Sequence, residues 1–227
     1  MYGLRQSPLN FYNHLRQGLK SRGFQKSNHD DCLFTNGETI VLFWVDGCIF
    51  YSKTSKTIDK LILSLKDEFL LEREEDITGF LGIDISRDKE NNSFTMTHTG
   101  LIERILTAMD MEDCNLKFTP AEKDPLCKDL GGAPCCEDWD YRSIVGMMLY
   151  LAGSTRPDIA YAVHHCARFS HSPRRSHEIG VKHIARYLKE TQTKGIIMTP
   201  DNDSMNIDMY ADADFLVCIP PKTRWIQ

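Results

Sequence analysis

The sequence lacks the features that mark membrane and secreted proteins. No apolar run in its 227 residues approaches the roughly 20 residues that a transmembrane helix needs, and the first residues have no signal-peptide pattern. The eight cysteines form no CxxC pair and no regular framework, which favours reduced thiols. We therefore expect an intracellular protein, cytoplasmic or nuclear, that is not secreted and does not bind membranes.

The sequence also lacks a zinc-binding pattern and an overall basic charge. The spacing of the eight histidines does not bring two of them onto one helical face with a cysteine, so no zinc site is expected. A net charge of −5 argues against a wholly basic nucleic-acid-binding protein. Basic residues are nevertheless concentrated in stretches 5–26 and 168–194. Each stretch could contact a phosphate backbone or could form a solvated helix face.

The composition, 41% hydrophobic and 26% charged, is that of a globular chain with one large domain or two small ones. Its most informative stretch is 41–51, where two apolar runs flank Asp46 and Gly47. Asp-Gly between such runs predicts a two-residue hairpin, because a type I′ turn needs positive φ at both central positions. Asp46 would lie at the tip, where a carboxylate could reach a Mg²⁺ ion. An ordinary hairpin is the alternative.

The first half of the chain mixes helical and antiparallel-strand patterns, which indicates an α+β unit. The predicted elements there are a helix from Ser7-Pro8 to Gly23, a strand at 32–35, a helix around 58–69, a hairpin from 80–86 to 94–96 and a helix around 101–109. The segment 113–139 is rich in proline and glycine and is predicted to be a linker or long loop. Beyond it we expect helices at 140–153, from 156–158 and from Ser172-Pro173 to Gly195, then strands at 196–198 and 206–210.

Several blocks, in their order along the chain, resemble the reverse transcriptase of copia-type LTR retrotransposons. They are residues 2–8 (YGLRQSP), 43–47 (FWVDG), 80–83 (FLGI), 141–146 (YRSIVG), 149–151 (LYL), 155–159 (TRPDI), 186–189 (RYLK) and 210–214 (YADAD). The FWVDG block lies where the family carries its YVDD box. The joint order and spacing of the blocks are far more specific than any single block.

The resemblance implies a fold and a division of the chain. The fold is α+β: a partial reverse-transcriptase palm with antiparallel hairpins, then a helical thumb or connection region and the first strand of an RNase H-like domain. The implied parts are a palm at 1–112, a linker or loop at 113–139, a helical connection region at 140–199 and a truncated start of the RNase H-like domain at 200–227.

The resemblance also implies functional residues. Asp46 takes the position of a polymerase catalytic carboxylate and metal ligand, and Asp212 that of the first RNase H carboxylate. Gly3 and Gln6 would lie near the templating base pair, where a glycine allows close approach of the backbone. Arg5 belongs to the same nucleic-acid-binding block. For Gln6, a loop that starts a helix is an equal alternative.

Three other groups of residues have features that a binding site could use. Arg174 and Arg175 lie in the second basic stretch and are candidate contacts with nucleic acid. The block 155–158 (TRPD) is interpreted as a helix start rather than as a contact site. The pair Asp30-Asp31 lacks apolar flanks on both sides and is interpreted as a solvated turn.

Three departures from the family pattern decide the expected function. Gly47 replaces the second aspartate of the YVDD box, the family's other metal-holding aspartate lies upstream of residues 2–8, and only the first RNase H carboxylate is present. Because one carboxylate cannot fix two metal ions, Mg²⁺ would bind weakly or not at all. The leading hypothesis is a truncated, catalytically inactive fragment. The alternatives are an active module within a longer Pol polyprotein and a non-enzymatic nucleic-acid-binding remnant.

The expected partners follow from the same resemblance. They are an RNA or DNA template-primer and either a second copy of the chain or the remainder of Pol. Without the upstream strand, the palm sheet would present an open edge that favours pairing with another chain.

Overall fold

A computed structural model describes residues 6–45, 47–74, 77–135 and 138–199. Contacts divide the chain into two compact units, Met1–Leu81 and Gly82–Gln227. The division at 81/82 falls inside the part that the family resemblance assigns to the palm, and the functional boundaries stay a prediction.

The first unit is a four-stranded antiparallel sheet with two helices. Its elements are α1 (Ser7–Ser21), β1 (Gln25–Lys26), β2 (Leu33–Thr35), β3 (Thr39–Trp44), β4 (Gly47–Ser52) and α2 (Ser55–Lys66). A short strand, β5 (Gly79–Phe80), also belongs to this unit but is not part of its four-stranded sheet. The strand order β1-β2-β3-β4 follows the sequence, as expected when short turns join neighbouring strands. The predicted first helix is confirmed. Its N-cap is Gln6, one residue before Ser7, and Pro8 lies in its first turn.

The core of the first unit lies between the helices and one face of this sheet. Its buried members are Leu15, Leu19, Phe24, Phe34, Val41, Phe43, Leu65 and Phe69. The alternation of β3 places Val41 and Phe43 on the buried face, while Ile40 and Trp44 lie on the other face and are 46% and 53% exposed. This period of two is what a half-buried antiparallel sheet requires.

The second unit combines a small sheet with a helical core. Its elements are β6 (Ile83–Asp88), β7 (Ser93–Thr97), α3 (Thr99–Ala108), α4 (Tyr141–Ser154), a 3₁₀ turn (Pro157–Ile159), α5 (Ala160–Ala167), α6 (Arg175–Glu190) and β8 (Ile196–Met198). Strand β7 pairs antiparallel with both β6 and β8. The predicted hairpin, helices and strand 196–198 are thus confirmed in kind, although α6 begins at Arg175 and not directly at Ser172-Pro173.

The helices of the second unit share one hydrophobic core. Fully buried side chains come from α3, α4, α5 and α6, among them Ile102, Ile105, Met148, Leu151, Val163 and Leu188. In the residues described between 113 and 135, the chain forms no helix or strand apart from the bridge between Pro134 and Arg174. This segment packs on the core through Cys114, Ala121, Leu126 and Cys135.

The structure confirms the coarse fold class, α+β with antiparallel sheets, and it is compatible with a partial reverse transcriptase. The predicted strand 206–210 and the RNase H-like start at 200–227 lie outside the described residues. No helix that the structure describes combines the length and apolarity needed to cross a membrane.

Candidate active site

The candidate catalytic hairpin is formed by β3 and β4. Trp44 pairs with Gly47, Phe43 with Cys48 and Val41 with Phe50. The strands are therefore joined by residues 45 and 46, of which Asp46 lies outside the described residues. The hairpin prediction is confirmed, and the position of its turn is corrected: Gly47 is the first residue of β4, not the second turn residue.

The register explains this correction. Val41 and Phe43 face the core, and a shift of one residue would move both to the exposed face. Burial therefore outweighs the preference of Asp-Gly for a type I′ turn. The consequence is a φ of +54° at Val45, a conformation that is uncommon for a β-branched residue. Gly47 itself does not have a positive φ.

The space beside Gly47 bears on the missing carboxylate. A Cβ atom built at position 47 would lie 3.3 Å from Cε2 of Phe80. That is closer than ordinary van der Waals contact, so the ring would have to move by a few tenths of an ångström to admit any side chain. Gly47 thus supplies no side-chain ligand for a metal, and the nearest side chain to this position is the aromatic ring of Phe80.

Mg²⁺ is the ion that the family resemblance implies, and its candidate ligand Asp46 lies outside the described residues. A two-ion site needs several converging carboxylates, whereas position 47 offers only a backbone. Among the described residues, no group of three or more His, Cys, Asp or Glu side chains is arranged to hold a metal.

The other predicted palm residues are only partly placed. Gly3 and Arg5 lie outside the described residues, as does the RNase H candidate Asp212. Gln6 is exposed and is the N-cap of α1, where its carbonyl accepts a hydrogen bond from the backbone N–H of Asn10 at 3.0 Å. That backbone role matches the interpretation of this residue as part of a helix start, and it leaves the side chain open to solvent.

The pair Asp30-Asp31 forms the solvated turn that the sequence indicates. Asp30 Oδ1 accepts a hydrogen bond from the backbone N–H of Cys32 at 2.7 Å, and Asp31 forms an ion pair with Lys26. Both aspartates are exposed in the turn before β2. The ion pair also lowers the pKa of the Asp31 carboxyl, first through the hydrogen bond from Lys26 and then through its charge.

Arg174 and Arg175 lie together at the N-terminus of α6 but face different partners. Arg174 is the N-cap residue, and its Nη1 lies 3.4 Å from the carbonyl oxygen of Gly132. Arg175 Nη1 donates to both carboxylate oxygens of Glu178, at 2.7 and 2.8 Å. Glu178 is fully buried and also pairs with Lys182 at 2.7 Å. The charge of Arg175 is thus partly committed to holding a buried carboxylate.

The block 155–158 forms a buried polar network that its sequence does not indicate. Arg156 is 1% exposed and donates to both oxygens of Asp158 at 3.0 Å. It also donates to the carbonyl oxygen of Thr191 at 2.9 Å, and the Tyr187 hydroxyl donates to Asp158 Oδ2 at 2.7 Å. The helix start predicted here is confirmed. An arginine just before Pro-Asp gives no local signal of burial, because its other partner, Thr191, lies 35 residues away.

His177 of α6 has a structural role that a search for zinc ligands does not reveal. It lies on the same helical stripe as Val181, Ile184 and Leu188, and all four residues are buried. Its Nε2 lies 3.0 Å from the carbonyl oxygen of Cys127. A histidine in register with an apolar stripe could have indicated a buried side chain with a polar partner.

Comparison with known proteins places the chain in a family. Residues 1–123 match the family described as reverse transcriptase (RNA-dependent DNA polymerase). The chain is 32% identical to the retrovirus-related Pol polyprotein from transposon RE1 of Arabidopsis thaliana, over 95% of this chain and 15% of that protein. It is 30% identical to the corresponding polyprotein from transposon TNT 1-94 of Nicotiana tabacum, over 94% of this chain and 17% of that protein.

A shorter relative matches over most of its own length. The putative transposon Ty5-1 protein of Saccharomyces cerevisiae is 26% identical, over 94% of this chain and 70% of that protein. No solved structure matches the chain. The chain spans less than a fifth of the Pol polyproteins that it resembles. It belongs to the reverse transcriptase (RNA-dependent DNA polymerase) family, which confirms the resemblance to copia-type retrotransposon polymerases.

Proposed function

We propose that this chain is a reverse-transcriptase segment of a retrotransposon Pol polyprotein and that it has no polymerase activity by itself. The observation that carries the proposal is the residue at the start of β4. Trp44 pairs with Gly47, so the position that follows the candidate catalytic Asp46 has no side chain. Phe80 lies against that position.

The physical reason is the number of charges that two divalent ions require. Two ions held by a single carboxylate keep most of their water and bind weakly, because carboxylates must both neutralise and position them. Loss of such a ligand lowers the rate by orders of magnitude. The same argument applies to RNase H chemistry, for which Asp212 is the one carboxylate that the resemblance assigns.

Primer extension with the purified chain tests the absence of activity. We expect no template-dependent extension of an RNA- or DNA-templated primer with either Mg²⁺ or Mn²⁺. A copia-type reverse transcriptase with an intact YVDD box is the positive control under the same conditions. Extension above the no-template background would contradict the proposal.

We also propose that the segment has kept an affinity for a nucleic-acid template-primer. The supporting feature is the basic surface at the start of α6, where Arg174 is half-buried and Arg168, Arg175 and His171 lie nearby in the chain. Negative phosphates attract such a cluster without regard to base sequence, and salt weakens this attraction.

Salt-dependent binding to a labelled primer-template measures this affinity. Arg174→Glu should weaken binding and reduce the slope of log K against log salt concentration by about 1, the contribution of one phosphate contact. Arg175 is a poor target for charge reversal, because Glu178 is buried beside it. Lys60→Glu, on α2 in the other unit, is the matched control. Equal slopes for wild type and Arg174→Glu would remove Arg174 from the interface.

The remainder of Pol is the proposed protein partner. Strand β4 is an outer strand of the first sheet and has no charged residue or proline between Gly47 and Ser52. Outer strands without such protection pair readily with further strands. A second copy of the chain is the alternative occupant, and a monomer across a concentration series in analytical ultracentrifugation would count against it. An intracellular location is part of the same proposal.

The second candidate function is an active polymerase module within a longer Pol polyprotein. It is favoured by the small share of the relatives' length that this chain spans, 15% for the RE1 polyprotein. Other segments could then supply the carboxylates, with Gly47 tolerated.

A further inference from the structure

The turn between α5 and α6 presents a serine hydroxyl to solvent in a fixed position. Arg142 Nε donates to the carbonyl oxygen of Ser170 at 2.9 Å, which holds the turn on the start of α4. The backbone N–H of Ser172 donates to the carbonyl oxygen of Phe169 at 3.1 Å. Ser172 itself is exposed. Its backbone is therefore anchored in the turn, while its side chain is accessible to an enzyme.

The residues that follow Ser172 form a pattern that some protein kinases select. Pro173 lacks a backbone N–H and has a fixed φ, and Arg174 is extended, with φ −119° and ψ 170°. Arg175 follows with its side chain 53% exposed. Proline-directed kinases require the proline directly after the serine, and many of them favour a basic residue two positions beyond that proline, where its charge is read.

The other Ser-Pro and Thr-Pro pairs of the chain lack this pattern. The residues three positions after their serine or threonine are Asn10, Glu122 and Asn202, which follow Ser7-Pro8, Thr119-Pro120 and Thr199-Pro200 respectively. Ser7 is also half-buried as the first residue of α1. Thr119 Oγ1 donates to the carbonyl oxygen of Ala121 at 3.2 Å. Among these pairs, the sequence and the exposure both favour Ser172-Pro173.

We propose that Ser172 is a phosphorylation site for a proline-directed protein kinase and that its phosphate weakens nucleic-acid binding by the basic surface beside it. The kinase transfers the γ-phosphoryl group of ATP to Ser172 Oγ. A bond forms between Oγ and phosphorus, the bond from that phosphorus to the oxygen of the β-phosphate breaks, and ADP leaves. The hydroxyl proton passes to the catalytic aspartate of the kinase.

The phosphate lies among positive charges. Residues 168–175 contain three arginines, one histidine and no acidic residue. Alternate residues of an extended segment share a side, so the extended backbone at Arg174 directs its side chain toward the side of Ser172. Arg174 Nη1 lies 3.4 Å from the carbonyl oxygen of Gly132, a longer contact than a charged hydrogen bond. A phosphate oxygen is a stronger acceptor for this guanidinium than that carbonyl.

The effect on binding rests on the proposed affinity for a template-primer. A phosphoserine carries a charge of about −2 near neutral pH, and it competes with the phosphates of the nucleic acid for the same arginines. Loss of about two phosphate contacts should weaken binding at least tenfold at about 0.1 M salt. It should also reduce the slope of log K against log salt concentration by about 2.

Incubation of the full chain with ATP and a proline-directed kinase of the cyclin-dependent class tests the modification. We expect one phosphate per chain, located at Ser172 by mass spectrometry of its peptides. Ser172→Ala should abolish incorporation. Ser170→Ala, which changes a nearby serine with no proline after it, is the matched control and should keep it. No incorporation, equal incorporation into Ser172→Ala and wild type, or phosphate found first on Ser7, Thr119 or Thr199 would overturn the site.

Binding of a labelled primer-template by the phosphorylated and unmodified chains tests the effect. Ser172→Ala, treated with the kinase in the same way, should bind as the unmodified chain does, and phosphatase should restore the affinity of the phosphorylated chain. Equal affinities before and after phosphorylation would overturn the regulatory role. Absence of binding by the unmodified chain would remove the proposed affinity and the regulation with it, whereas the peptide mapping decides the modification site independently.

Discussion

At the scale of single residues, position 47 is the one on which the proposed lack of activity depends most. Gly47 lacks the carboxylate, and Phe80 lies 3.3 Å from the place of a Cβ atom. Two effects oppose each other when a side chain is introduced. Replacing glycine restricts the unfolded chain and stabilises by roughly 0.4–1 kcal/mol, while crowding a packed ring costs about 1 kcal/mol or more.

A double-mutant cycle separates these two effects. Gly47→Ala should leave the free energy of unfolding nearly unchanged in wild type, because gain and crowding cancel. In a Phe80→Ala background it should stabilise by about 0.5 kcal/mol, so the coupling between the two positions is also about 0.5 kcal/mol. Urea unfolding measures both. The same effect of Gly47→Ala in both backgrounds would show that the ring does not limit this position.

Asp158 provides a prediction on pH. Burial by itself would raise the pKa of this carboxyl, but hydrogen bonds from Arg156 and Tyr187 outweigh it and hold the pKa below its usual range. A lowered folded-state pKa stabilises the protein above the unfolded value, about 3.9, and this contribution disappears as the pH falls through the folded-state value. Stability should therefore decline below about pH 4.

Asp158→Asn tests this prediction in two ways. It should lower the free energy of unfolding at neutral pH by about 3–5 kcal/mol, because it leaves Arg156 buried without a carboxylate. It should also flatten the decline in acid. Asp138→Asn, in the segment before α4, is the control. An unchanged acid profile in Asp158→Asn would mean that another carboxyl causes the loss.

At the scale of elements, sequence patterns predict helices and strands well where one periodic face is buried. The stripe of β3 predicts a strand, and the strand predicted at 196–198 has the observed bounds. The turn of the β3–β4 hairpin could not be placed from Asp-Gly alone. The register of the hairpin depends on whether Val41 and Phe43 lie on the face of the sheet that packs against the helices. That is a property of the folded unit.

Gly195 is predicted from the sequence to end the last helix, but α6 ends at Glu190 and the glycine instead lies directly before strand β8. A Cβ atom at Gly195 would overlap the backbone oxygen of Met96, which pairs with Ile196. Backbone atoms of a paired strand cannot move aside as a flexible side chain can. The two backbones can therefore approach this closely only if residue 195 is glycine.

Gly195→Ala should break the β7–β8 pairing and destabilise the second unit by about 1–3 kcal/mol. Hydrogen exchange at residues 196–198 and urea unfolding measure the two effects. Gly100→Ala is the matched control, because its Cβ atom would meet nothing within 4 Å and alanine favours the helix α3. Retained protection at residues 196–198 in Gly195→Ala would contradict the close approach.

At the scale of the whole molecule, the sequence predicts the family and the α+β class because those depend on the order of many short blocks. Buried polar networks are not predictable in this way. Arg156 forms a hydrogen bond with Thr191, 35 residues away in the sequence, and His183 forms one with Thr119, 64 residues away. Such partners are known only once the helices have packed. The basic residues at the start of α6 are evident from charge, but the commitment of Arg175 to Glu178 depends on burial.

The most direct test of the central claim is primer extension by a longer form of the protein. This form is extended upstream to include the family's first metal-holding aspartate. The form with Gly47 should give no template-dependent product, and its Gly47→Asp variant should gain activity by at least about a hundredfold, the order of effect of one catalytic electrostatic group. If the Gly47 form extends primers as well as Gly47→Asp does, the missing carboxylate at position 47 does not make the protein inactive.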